Sequence, residues 1–224
     1  GIMAAGIAHE INQPLNSIKV TADSLLYWHN RNHQLDTAKV ITGIQRISDQ
    51  AERINGIIKN VRSFVRSERA SELTPCSLNE AVLNALNMLG NQLHGRDVTV
   101  VRQLSEELPS VSGSPAGLYE IAFNLLTNAM QSLEKSGEGK KTITCSTWAE
   151  DDRVMMEIRD NGQGIDPMNR DKIFEPFYTT RLNEGMGLGL SITRSLVASF
   201  NGEISVLPVE KGAAFRIEFP AAVS

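Results

Sequence analysis

Eight apolar residues between Val40 and Val65 constrain this chain most. Val40, Ile44, Ile47, Ala51, Ile54, Ile58, Val61 and Val65 recur at alternating spacings of 4 and 3 over more than three heptads. That period belongs to a helix packed in coiled-coil fashion, and a seam this long does not remain in water. A helix is therefore expected over 38–66. Asp36 is placed to cap it, with Leu35 and Val40 stapled across the cap. Upstream, Ile7, Ile11, Leu15, Ile18, Ala22 and Leu25 form a second stripe. Pro14 lies within it and should kink that helix or open its hydrogen bonding. The polar stretch from Trp28 to Asp36 supplies a turn, so the two helices read as an antiparallel hairpin. Two helices bury too little alone. A second copy completing a dimeric four-helix bundle is expected, against the plainer alternative of a helical linker.

The segment Ser67–Cys76 is polar, contains Pro75, and marks a boundary between a domain over 1–70 and another over 71–224. Lys59, Arg62, Arg66 and Arg69 precede it as a basic stripe. Such charges suit a helix C-terminus, and a docking surface for an acidic partner is the less economical reading. With 22 basic and 26 acidic residues the net charge is −4. That balance speaks against general nucleic-acid or membrane-surface binding. No apolar run reaches the roughly 18 residues of a membrane span, and no signal peptide is visible. Cys76 and Cys145 form no CxxC pair and cannot build a disulfide framework, so a reducing, cytoplasmic compartment is expected. Because Gly1 already lies inside a helical pattern, an excised fragment is also expected.

Beyond the boundary, apolar spacing predicts a helix from Ser77 to about Leu93 and a strand over Val98–Gln103. Ser114-Pro115 is an N-cap followed by an N1 proline, so a helix should run from there to about Leu133. Strands follow near Thr142–Trp148 and Arg153–Arg159. A long irregular stretch, 161–186, precedes a helix over Gly187–Phe200 and strands near Glu203–Leu207 and Ala214–Phe219. This mixed order predicts an α/β sandwich with helices on one sheet face. A loop of that length inside a compact domain is usually functional.

Three features of this part bear chemistry. On the 115–133 helix, Glu120, Asn124, Asn128 and Gln131 form a polar stripe at spacings of 4, 4 and 3. Asparagine is a mediocre helix former, so two of them one turn apart ask for a reason other than solvation. Neutral oxygen ligands for Mg²⁺ supply one. Asp160-Asn161-Gly162-Gln163-Gly164 follows a strand. A carboxylate there accepts a hydrogen bond from an exocyclic amine such as adenine's, although the same letters also spell a plain turn. Gly185-Met186-Gly187-Leu188-Gly189-Leu190 opens a helix, whose unpaired N–H groups and positive end attract phosphate. Its spacing is neither Rossmann nor P-loop. His9 lies about 180° around its helix from the Ile7–Ile11 face, so it should point to solvent. Position alone makes it an ordinary surface histidine. His29 and His33 are one turn apart but lack the intervening Glu of a zinc helix and read as a surface pair.

In this order the segments resemble the transmitter region of sensor histidine kinases over nearly the whole chain. AHEINQPLNSI (8–18) is similar to the H-box, NLLTNAMQSL (124–133) to the N-box and DNGQGI (160–165) to the G1 box. FEPFYTT (174–180) is similar to the F-box and GMGLGL (185–190) to the G2 box. HEINQPL and FYTTR look most like kinases that sense dicarboxylates, oxygen or nitrogen status.

The resemblance implies a dimerisation and phosphotransfer hairpin, then a sandwich of the histidine kinase, Hsp90 and gyrase ATPase type. It implies ATP and Mg²⁺ as cofactors. His9 would be the phosphoacceptor, and a neutral imidazole near pH 7 has the nucleophilic nitrogen this needs. Glu10 would be the general base, although neighbouring helix residues do not face one another and it must reach around. Asn128 would be the principal Mg²⁺ ligand with Asn124 assisting. Relatives that hydrolyse ATP carry Glu at the Asn124 position, so Asn there suits phosphoryl transfer. Asp160 would bind the adenine amine, with Gly162 and Gly164 shaping its pocket. Gly185, Gly187 and Gly189 would line the phosphates, Arg181 would contact them, and Phe174 and Phe177 would anchor a lid. Two departures stand out. Gln131 occupies a position where many relatives carry Lys, and Gln13 one where many carry Thr or Asn linked to phosphatase activity. The expected partners are a second copy and a response-regulator receiver domain, with any membrane attachment made through a sensor region outside this chain. An ATPase or serine kinase of the same fold, and a silent dimeric scaffold, remain the alternatives.

Overall fold

The computed structural model describes residues 2–31, 36–67, 73–134, 139–179 and 187–222. The chain divides into two compact units, Gly1–Ser63 and Phe64–Ser224.

The first unit is built from helices α1 (Ile2–Asn30) and α2 (Thr37–Ser67). Asp36 caps α2 as the sequence suggests, its Oδ1 accepting from the Ala38 amide at 3.1 Å. Its staple partner Leu35 lies outside the described residues. Pro14 is buried within a continuous α1, and it shares the inward face with the half-buried Ile11, Ile18, Ala22 and Leu25. Leu15, expected on that stripe, is half exposed instead. On α2 the expected seam divides in two. Val40, Ile47 and Ile54, with the buried Gly43 and Ile57, are drawn inward, and Gly43 meets Leu25 so closely that a Cβ would lie 2.9 Å from its Cδ1. Ile44, Ala51 and Ile58, seven residues apart, stay exposed. One hairpin thus consumes half of a two-sided seam.

The second unit holds strands β1 (Thr74–Cys76), β2 (Val98–Leu104), β3 (Val111–Gly113), β4 (Lys141–Glu150), β5 (Arg153–Asp160), β6 (Glu203–Leu207) and β7 (Ala213–Pro220). Its helices are α3 (Leu78–Gly95), α4 (Pro115–Glu134) and α5 (Gly189–Ser199). Five strands form one sheet in the order β2-β4-β5-β7-β6. β2 runs parallel to β4 and the other pairs are antiparallel. Period-two burial sorts its faces. Ile143, Cys145 and Thr147 of β4 are buried, as are Val154, Met156 and Ile158 of β5 and Phe215, Ile217 and Phe219 of β7. The helices cover this face, with α4 against β4 and β5, α3 beside β2 and α5 beside β6. On the opposite face the cross-strand pair Glu157–Arg216 forms a 2.9 Å ion pair, and the guanidinium lies 5.2 Å from the Trp148 ring centroid.

Helix starts follow the sequence signals. Ser77 Oγ accepts from the Glu80 amide and Ser114 Oγ from the Gly117 amide. Three features differ from expectation. β1 and β3 pair in a separate antiparallel two-stranded sheet, so the end of the polar boundary segment is ordered by a partner 37 residues away. The long stretch after β5 is not wholly irregular, since Pro167–Asn169 and Lys172–Phe174 are single turns of 3₁₀ helix. The last helix begins at Gly189 rather than Gly187, because Gly187 takes φ +64° and cannot be helical.

Candidate functional site

Helix α4 is the spine of the site. Leu118, Ile121, Ala122, Leu125 and Ala129 lie against the core, which turns Asn124 and Asn128 to the half-buried flank. Two other segments are fastened to that flank.

The first is the end of β5. Asp160 is 3% exposed, and its Oδ1 accepts from Ser132 Oγ of α4 at 2.9 Å and from the Gly162 amide at 2.8 Å. Gly162 has no room for a side chain, because a Cβ would meet the Ser132 carbonyl oxygen at 2.7 Å and Asp160 Oδ1 at 2.8 Å. Gly164 follows with φ +80°, a conformation open to glycine at little cost. Asn161 belongs to the frame. Its Oδ1 accepts from the Thr142 amide at 2.8 Å and its Nδ2 donates to the Lys140 carbonyl at 2.7 Å, tying the loop to the start of β4.

The second is the start of α5. Asn124 Nδ2 donates to the Gly189 carbonyl at 3.4 Å and to Thr193 Oγ1 at 3.5 Å, while the Thr193 hydroxyl donates to the same carbonyl at 2.9 Å. Among the described residues no side chain caps α5 at Leu188, so its first-turn N–H groups and positive end suit an anion. Gly187 presses on the chain before it, and a Cβ there would strike the Tyr178 carbonyl. Phe177, with φ +67°, holds a strained conformation for an aromatic residue next to this contact. Phe174 packs edge-to-face on Phe215 at 6.4 Å, with the Arg194 guanidinium 5.7 Å from its ring centroid. Phe174 thus packs on the sheet just before the segment that leads to 180–186.

Asn128 sits between these two attachments, and its Nδ2 is buried without a hydrogen-bond partner among the described residues. Leaving a buried donor unmade costs about 1–3 kcal/mol, so the atom awaits an acceptor. A phosphate oxygen fits that description. The amide oxygen beside it, and the Asn124 oxygen opposite its committed nitrogen, are neutral ligands of the kind Mg²⁺ takes alongside phosphate and water. Among the described residues no cluster of three or more His, Cys, Asp or Glu could hold a metal, so a cation here would rest on neutral amides and ligand oxygens.

The structure thus brings together Asn124, Asn128, Asp160, Gly162, Gly164, Gly187 and Gly189 within the second unit. Arg181 and Gly185 lie outside the described residues, as do the side chains of His9 and Glu10 and the whole of His33. Sequence reasoning missed Ser132 and Thr193. Their only signal was position: each polar side chain stands one helical turn after a predicted ligand, Ser132 after Asn128 on the polar stripe of α4 and Thr193 after Gly189.

Two families match the chain. "His Kinase A (phospho-acceptor) domain" covers residues 1–70, and "Histidine kinase-, DNA gyrase B-, and HSP90-like ATPase" covers 113–223. The C4-dicarboxylate transport sensor protein DctB of Rhizobium meliloti (strain 1021) is 30% identical over 99% of this chain and 35% of its own length. Sensor histidine kinase ZraS of Salmonella typhimurium is 30% identical over 98% of this chain and 45% of its own. The chain therefore spans less than half the length of these curated relatives. Among solved structures, histidine kinase ThkA, determined in complex with response regulator protein TrrA, aligns over 99% of this chain and 62% of its own at TM-score 0.75 and 22% identity. Full-length ShkA, determined with AMPPNP, aligns over 98% of this chain and 46% of its own at TM-score 0.70 and 24% identity. At those identities the two structures speak for the fold.

Proposed function

The chain belongs to the sensor histidine kinases as a transmitter region, and on that premise we propose that it phosphorylates itself on His9 with ATP and passes the phosphoryl group to an aspartate of a response-regulator receiver domain. Asn128 carries the reading: its orphaned amide lies on the same helix flank as the Asp160 loop and the uncapped start of α5.

In this proposal Asp160 accepts from the adenine amine, and Gly162 and Gly164 let the base approach. The amides from Gly187 to Gly189, leading into α5, receive the phosphates, with Gly185 and Arg181 contributing from the adjoining segment. Mg²⁺, held by Asn128 with help from Asn124, would neutralise phosphate charge. His9 supplies the nucleophilic nitrogen and Glu10 takes its proton. The N–P bond forms as the bond from the γ-phosphorus to the bridging oxygen breaks, releasing ADP. The resulting phosphoramidate is reactive, which suits onward transfer. ShkA was determined with an ATP analogue and ThkA with a response regulator, and both support these ligand and partner classes.

We assign the working form as a homodimer, because Ile44, Ala51 and Ile58 leave one side of the α2 seam uncovered. No described helix is long and apolar enough to cross a membrane. A cytoplasmic kinase core, joined to any membrane by a sensor elsewhere in a longer protein, fits the proposal.

The test is incubation with γ-labelled ATP and Mg²⁺. Acid-labile, base-stable label on the wild-type chain is expected, with none on His9→Gln or Asn128→Asp. Label retained by His9→Gln would refute the assignment in favour of an ATPase or serine kinase. Failure of an ATP analogue to bind in equilibrium dialysis would favour a silent scaffold.

A further inference from the structure

Ser132 has no part in the chemistry described above, yet it makes a buried side-chain contact with the proposed base-binding carboxylate. It is 8% exposed near the end of α4, and its hydroxyl donates to Asp160 Oδ1. The Gly162 amide donates to the same oxygen from the loop side. Two donors on one oxygen, from a helix and from a loop, fix the plane of the group. The loop comes so close that a Cβ on Gly162 would lie 2.8 Å from the same Oδ1. Both donors also hold the carboxylate in its acceptor role. An acceptor in a fixed plane rewards a purine edge bearing an amine and opposes one bearing an oxygen, where two acceptors would face each other.

We infer that Ser132 is a positioning residue that orients Asp160 and thereby sets the preference for an amino-purine over an oxo-purine nucleotide. The inference rests on the reading of Asp160 as the base contact. It gives α4 a role at the base as well as at the phosphates, which Asn128 is proposed to serve from the turn before.

Calorimetric binding of ATP and of inosine triphosphate, which carries oxygen in place of the amine, tests this on the whole chain. Wild type is compared with Ser132→Ala, Ser132→Cys and Asp160→Asn. Ser132→Ala is expected to weaken ATP binding roughly 5–10-fold, about the net worth of one ordinary hydrogen bond, while inosine triphosphate changes less than about twofold. Ser132→Cys, close in shape and a weaker donor, should move the ratio the same way by a smaller factor and reads the effect even if the alanine variant folds poorly. In Asp160→Asn the two donors still claim the amide oxygen and turn its NH₂ toward the base, so selectivity should shift toward inosine triphosphate. Equal losses for both nucleotides in the Ser132 variants, or no loss, would overturn the positioning role even when Asp160→Asn loses ATP. Wild-type ATP binding by Asp160→Asn would instead overturn the base contact, and the inference with it.

Discussion

Replacing Ile44 and Ile58 together by Ala should break the proposed dimer while leaving each hairpin folded. Ile44 is 56% and Ile58 45% exposed in the single chain. Full burial of an isoleucine side chain contributes about 1.5–3 kcal/mol, so the half still in water is worth roughly 1 kcal/mol per residue on association. A two-fold interface uses each residue twice, giving about 4 kcal/mol for the pair. Alanine keeps Cβ and reduces the expected loss to about 3 kcal/mol, a dissociation constant raised on the order of 100-fold. Helix content should hold, because Ala is the better helix former. Sedimentation equilibrium over a concentration series measures the constant, and circular dichroism checks the helices. Met88→Ala is the control, since Met88 is 66% exposed on α3 of the other unit. A change below about threefold in the double variant, or an equal change in the control, would refute the argument that the uncovered half of the seam holds the dimer together.

Three further outcomes follow from single residues. Gly187→Ala places a side chain at φ +64° and against the Tyr178 carbonyl, so it should cost roughly 1–3 kcal/mol and lower the melting temperature by several degrees; an unchanged melting curve would contradict the contact. Thr193→Val keeps shape at a fully buried position but removes the hydroxyl shared by Gly189 and Asn124, so calorimetry should show ATP binding weakened roughly 3–10-fold. Burial pushes the Cys145 thiol up from 9.0 to about 12 despite the nearby Arg102, so a folded-state alkylation assay at pH 8 should leave it unmodified until denaturant is added. Because the folded pKa is the higher one, its contribution to stability is complete below pH 9 and is lost as pH rises from 9 toward 12. Denaturant midpoints across that range read this out.

Much of the architecture was legible because local signals agreed with the fold. Asp36, Ser77 and Ser114 announced helix starts that their side chains then cap. Alternation marked β4, β5 and β7 because one face is covered and the other carries polar residues such as Glu157 and Arg216. β1 and β3 escaped because three-residue strands have no period to detect and exist only through each other. The helix-start error at Gly187 had a similar source. Glycine-rich spelling fits a helix N-terminus or a left-handed turn equally well, and the Tyr178 carbonyl decides between them. In the site, ligand types were readable as motifs, whereas their supports were not. Ser132 and Thr193 are ordinary helix residues until Asp160 and Asn124 arrive from 28 residues and 69 residues away.

The closeness of Gly187 to the Tyr178 carbonyl has a mechanical consequence. The chain departs after Tyr178 and comes back at a point where not even a methyl group separates the two strands of backbone. Residues added between these two points would cost little closure entropy, since that cost grows only with the logarithm of length. Insertions there should therefore leave the Gly187–Tyr178 contact, and α5 after it, in place.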